Sequence, residues 1–224
     1  MLGVAGACAT FTSTDPGAGG GADGGGGDSG DGGAGCQPTG CAGAVPSACT
    51  SGCEKFSFNG DPTPQVLGEC VNGAVHIKAE GTRDIRATIE VDTPAAAYDT
   101  IVISGRLSMP VWGTDDGWAM KIAVDGTIGI RLRAEPRVDG TVAYTFCASD
   151  GTTCGDPHKT TIAPPTVLVI RMTKRAIEIE MDCLLTARLP AIPLPTSRGI
   201  TLELGGSSKD EFEATFSDPT IAFE

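Results

Sequence analysis

Aromatic residues make up only 5% of this 224-residue chain, and it has just two histidines, His76 and His158. Grooves that cleave sugars are walled by aromatic platforms, so this scarcity counts against a glycosidase. The histidines stand in no serine-hydrolase or cysteine-protease signature, and no G-x-S-x-G occurs. A P-loop and a dinucleotide fingerprint are also missing, and nothing calls for a cofactor. No 18 consecutive residues are apolar, so no segment reads as a membrane-spanning helix. Positive charge is short as well: 16 Lys+Arg face 28 Asp+Glu, for a net charge of −12. That balance, with no basic run, excludes nucleic acid and anionic lipid surfaces as expected partners.

The shortage of bases is uneven. Residues 1–53 have no Lys or Arg, four acids and 17 of the 32 glycines. Such a stretch cannot bury enough apolar surface to offset its ordering entropy, and it is expected to be disordered. Within it, residues 11–35 carry 12 glycines and read as a flexible tether with a span of about 25–30 Å. The 171 residues from 54 to 224 suffice for one domain with its own core, at a net charge of −8.

Cysteine, by contrast, is plentiful. Nine are present, at positions 8, 36, 41, 49, 53, 70, 147, 154 and 183. That number suits an oxidising compartment outside the cytosol. Cys8 stands apart, and the other eight can form four disulfides. Cys147 and Cys154 flank Asp150-Gly151 and should cross-link the base of a loop. A metal site with His158 falls one ligand short. Cys36, Cys41, Cys49 and Cys53 match no zinc spacing and read as a small disulfide knot in a segment from 36 to 53. Cys70 and Cys183 either pair with each other or bond into that knot.

Val4-Ala-Gly-Ala-Cys8 packs small residues ahead of a cysteine. It resembles the end of a bacterial lipoprotein signal peptide, whose cleavage leaves a lipid-modified cysteine. The resemblance makes residues 1–10 the remnant of a signal and lipidation segment, with Cys8 as the attachment point. It implies an exported protein on the bacterial cell envelope, at the outer membrane or cell surface, that meets the membrane only through its lipid.

From residue 54 the apolar period is two. Ile85, Ala87, Ile89 and Val91 alternate with polar residues, as do Trp118, Met120, Ile122 and Val124. The same holds for Ile128–Leu132, Ile177–Met181, Ile200–Leu204 and Phe212–Phe216. Six Asn-Gly or Asp-Gly pairs punctuate the domain, and Asp125-Gly126 predicts a hairpin between Trp118–Val124 and Thr127–Arg133. Twelve to fourteen antiparallel strands without helices predict an all-β, two-sheet sandwich or a barrel. With its closing stretch Phe212–Phe223, the domain resembles the concanavalin A-like (laminin G-like) jelly rolls. That resemblance implies a last strand pairing near the first, Phe216–Phe223 against Phe56–Phe58.

Two segments could carry chemistry. Glu178, Glu180 and Asp182 project from one strand face. The segment is similar to the carboxylate strand of glycoside hydrolases in the concanavalin A-like superfamily, with acid and nucleophile roles for Glu178 and Asp182 or Glu180. It departs from their Glu-x-Asp order, and only 42 residues follow it. A solvated face balanced by Arg171, Lys174 and Arg175 accounts for it more simply. The second segment is Pro110–Trp118, where Trp112 stands near Asp115 and Asp116. Stacking of Trp112 on a sugar, with contacts from the two carboxylates directly or through calcium, would make a lectin-like edge. Trp118 itself is expected in the core. The expected function is therefore non-enzymatic, a binding or structural role toward a glycan or a surface protein.

Overall fold

Alternation of apolar and polar residues forces each strand to bury one face, and two sheets closing on each other bury both. The computed structural model describes residues 49–59, 66–80, 83–111, 118–208 and 211–224. They hold fifteen strands and no helix. One sheet, A, contains β1 (Cys49–Ser51), β3 (Val66–Val71), β4 (Ala74–Glu80), β6 (Thr100–Val111), β11 (Thr166–Thr173), β12 (Ala176–Met181), β13 (Leu184–Pro190) and β15 (Glu211–Phe223). The other, B, contains β2 (Ser57–Asn59), β5 (Arg83–Val91), β7 (Met120–Val124), β8 (Thr127–Pro136), β9 (Thr141–Ala148), β10 (His158–Thr161) and β14 (Ile200–Ser208). Sheet A runs β13-β12-β11-β6-β15-β4-β3, with β1 also on β15; sheet B runs β10-β9-β8-β7-β14-β5-β2. Every pairing among the described strands is antiparallel.

The core lies between the sheets. Phe212, Phe216 and Phe223 of β15 are fully buried there, with Ile101, Ile103 and Leu107 of β6 and Tyr144 of β9. Gly105 is the exception in β6 that makes this packing possible: a Cβ on it would overlap the Phe216 ring. Burial pushes the Tyr144 hydroxyl well above its usual range.

Two of the expected Asx-Gly turns carry positive φ at both positions, Asn72-Gly73 between β3 and β4 and Asp125-Gly126 between β7 and β8. That is the backbone a tight hairpin needs. The last strand does return to the first, but to a different segment than expected. Thr220–Ala222 pair with Cys49–Ser51, whereas Phe58 pairs with Ala87 in the other sheet. Pro219, with no N–H to give a ladder, sits at the irregularity where β15 changes register against β6. Folded structure thus already includes Cys49–Ser51, and Cys53 is fully buried in the core.

Cys147 and Cys154 are bonded, with Cα atoms 4.0 Å apart. Cys53 bonds Cys70 rather than another cysteine of the 36–53 segment, with Cα atoms 5.4 Å apart. The alternative pairing of Cys70 with Cys183 is thereby removed.

Candidate functional site

The outer face of sheet B gathers cations from strands far apart in sequence. Ile130 and Leu132, Met120 and Ile122, Leu202 and Leu204 all point into the core. Arg131, Lys121 and Glu203 between them therefore point outward. Register aligns the three in one row: Arg131 opposite Lys121, and Lys121 opposite Glu203. Arg86, opposite Gly205, and Arg133 stand one row along. Lys121 Nζ and Arg86 Nη1 each lie 3.5 Å from the Glu203 carboxylate. Two cations thus share the Glu203 carboxylate, and two more lie at the β8 side of the face, with Glu90 and Glu135 exposed at its margins, in a chain whose net charge is −12.

Trp118 belongs to this face. It is buried, yet it is absent from the core between the sheets. Its ring lies under two guanidinium groups, with Arg131 Cζ at 5.4 Å and Arg133 Cζ at 5.1 Å from the centroid. The expectation of a core tryptophan is corrected: stacking on the two arginines shields the ring on the other side of the sheet. The two arginines are thereby held in place before any ligand arrives. Arg131 Nε is shielded from solvent and makes no hydrogen bond.

Sequence chemistry explains how the ring is held. The Cys147–Cys154 disulfide closes the loop after β9 beside Arg131, which pairs with Cys147. Inside that loop Asp150 accepts hydrogen bonds from the backbone N–H groups of Thr152 (2.9 Å) and Thr153 (3.0 Å). Those donors bring its carboxyl down to about 2. Gly151 of the same loop packs against Trp118, where a Cβ would approach the ring to 3.2 Å.

A cleft of about 300 Å³ continues the face past Arg131, lined by Val124, Asp125, Thr127, Gly129, Ser149 and Ile192 among others. Its wall is the 191–199 segment, whose Ile192 lies against Gly129 where a side chain would collide. Asp125 fixes that wall. Its carboxylate accepts from the N–H groups of Thr196 (2.8 Å) and Arg198 (2.8 Å), with Ser197 and Gly199 at 3.2 Å. These bonds hold its carboxyl far below the usual carboxylate range.

Trp112, Asp115 and Asp116 lie outside the described residues, as does Cys8. The segment carrying the first three connects the end of β6 at Val111 to Trp118. The acidic strand is described in full. Glu178 lies opposite Arg171 on one side and Arg188 on the other, with Arg188 Nε 3.5 Å from its carboxylate. Glu180 faces outward between Val169 and Leu185. Asp182 leaves the strand in the β12–β13 turn with positive φ. There its carboxylate accepts from Val167 N–H at 3.0 Å and lies 3.1 Å from His158 Nε2. The three carboxylates do not form one set: Glu178 is paired with Arg188, Glu180 faces outward, and Asp182 is held in the turn. His76 lies between Glu69 and Glu213, at 3.5 and 3.1 Å.

Two antiparallel sheets of this order define a jelly-roll β-sandwich. No family model matches the sequence, and a search of curated proteins finds no match. Solved structures do match. The exoplasmic/lumenal domain of VIP36 in metal-free form is 10% identical with a TM-score of 0.51, over 81% of this chain and 93% of that one. An alginate lyase of polysaccharide lyase family 7, AlgAT5, is 13% identical with a TM-score of 0.50, over 73% and 84%. A sialidase is 12% identical with a TM-score of 0.51 over 75% of this chain, which spans only 17% of that protein's length. At these identities the likeness establishes the fold alone.

Proposed function

We propose that this is an exported, non-enzymatic binding protein whose jelly roll holds an acidic glycan across the outer face of sheet B. The observation that carries the reading is the grouping of Arg86, Lys121, Arg131 and Arg133 over two adjacent rows of one sheet face, in an otherwise acidic chain. Guanidinium forks match carboxylate or sulfate groups in two-point contacts, and two of them are already oriented by Trp118. Trp112, Asp115 and Asp116, in the segment leading into Trp118, complete the site by stacking on a sugar ring and contacting its hydroxyls. Disulfides support export, since they persist in oxidising compartments. Lipidation at Cys8 would anchor the protein on the cell envelope, with 11–35 as its tether.

A glycan array of acidic and neutral sugars tests the binding. Retention of uronate- or sulfate-bearing glycans over neutral ones is expected, and Trp112→Ala should weaken it about tenfold, the value of one lost stacking contact. Indifference to ligand charge would refute the reading. Mass spectrometry tests the anchor: a diacylglyceryl or triacyl mass on Cys8 is expected, and an unprocessed Met1 contradicts it.

A further inference from the structure

The outer face of sheet A holds a buried patch that no described strand covers. Val102, Val167 and Val169 point away from the core and form a cluster of their own. They are 1, 8 and 2% exposed, and Ser104, Thr220 and Ala222 beside them are 0, 5 and 0% exposed. Every described strand belongs to one of the two sheets, so none stacks on this face. A sheet face open to water does not shield valines to this degree.

Two disulfide-bonded cysteines bracket the patch. Cys49 lies opposite Ala222 at one side. Cys183 lies at the other, in the β12–β13 turn that hydrogen-bonds Val167. They are not bonded to each other. From β1 to β12 the sheet crosses four strand spacings, or about 19 Å at 4.8 Å each. A disulfide requires Cα atoms within about 7 Å. With 53–70 and 147–154 paired, the cysteines left for them are Cys8, Cys36 and Cys41.

We infer that Cys183 is bonded to Cys36 or Cys41, and that residues 36–48 run as a strap across the outer face of sheet A and cover the valine patch. The reach fits: the eight residues from Cys41 to Cys49 extend to about 26 Å, and the thirteen from Cys36 to about 43 Å. Composition fits too, since Gly, Ala, Pro and Val in 36–48 bring no charge onto buried valines. Closing the bond converts two thiols to one disulfide. The two electrons and two protons pass by thiol–disulfide exchange to the disulfide form of an oxidoreductase of the oxidising compartment, which is released as its dithiol. The consequence is directional. The glycine-rich chain before Cys36 then leaves from the sheet A side, opposite the cation-bearing face of sheet B. That consequence rests on the proposed function; the strap does not.

Peptide mapping of the native protein without reduction tests it. Because 1–53 has no Lys or Arg, elastase rather than trypsin is used to cut it. A Cys183 peptide linked to Cys36 or Cys41 is expected. A link to Cys8 or Cys49, or a free Cys183 thiol, overturns the strap. In the Cys183→Ser variant the strap loses its far anchor, and cleavage within 42–46 should rise at least about tenfold, as local opening becomes easier. An unchanged rate overturns the covering role even if the bond is found, and the wild-type map stands should the variant fail to fold. Neither readout involves a glycan, so the strap and the glycan face can fail separately.

Discussion

The two outer faces of the sandwich are built from the same alternating strands and differ in what the outward positions hold. On sheet A, the central outward residues are Val102, Ser104, Val167 and Val169, all nearly inaccessible. On sheet B, the corresponding central rows hold Arg131, Lys121, Glu203 and Arg86. Period-two patterning decides which side chains meet the core. It leaves the outer face free to be covered or to be used, and this chain does one on each sheet.

A charge placed on each face should give the sharpest contrast. Val169→Asp puts an unpaired carboxylate among buried valines and should cost about 3–5 kcal/mol by chemical denaturation. Thr145→Asp on sheet B lies opposite Arg133 and should stay within about 0.5 kcal/mol. Equal effects would erase the distinction between the faces.

The disulfides come next. Cys53–Cys70 closes a separation of 17 residues and Cys147–Cys154 one of 7. Loop-closure entropy assigns about 3 kcal/mol to the first and a little over 2 kcal/mol to the second. Replacing the first pair with alanine should therefore lower Tm more. Replacing the second should instead loosen Trp118 and its arginines, read as a shift in tryptophan fluorescence that the first pair does not produce.

Acid should weaken the sheet B loops specifically. Asp150, at about 2, and Asp125, lower still, have folded values below the ordinary 3.8. Carboxyls depressed on folding stabilise above their unfolded value and lose that contribution as pH falls through the folded one. Hydrogen exchange in 149–155 and 191–199 should thus be steady above about pH 4, after correction for intrinsic rates, and protection should drop as pH falls toward 2. In Asp125→Asn the 191–199 segment should already be less protected at neutral pH.

Much of the fold was legible because strand period and Asx-Gly turns are local signals. Asn72-Gly73 and Asp125-Gly126 formed their turns, and Cys147 and Cys154 bonded across seven residues. The β12–β13 turn carried no such mark: Asp182 and Cys183 both take positive φ without a glycine. Trp118 fitted the core stripe by spacing, yet the chain turns at Ala119 and places the ring under Arg131 and Arg133. The cation row was invisible for a different reason. Arg86, Lys121, Arg131 and Glu203 are scattered over more than a hundred positions, and only sheet order and register bring them together. Net charge, averaged over the chain, pointed the other way.

The proposed binding surface is the outer face of sheet B. Calorimetric titration of the intact protein and of Arg131→Ala/Arg133→Ala with an oligouronate tests it directly. Wild type should bind, more weakly as salt rises, and the double variant, compared at a temperature where both are fully folded, should lose at least about tenfold in affinity, since two charge-assisted contacts go. Undiminished binding by the double variant would contradict it.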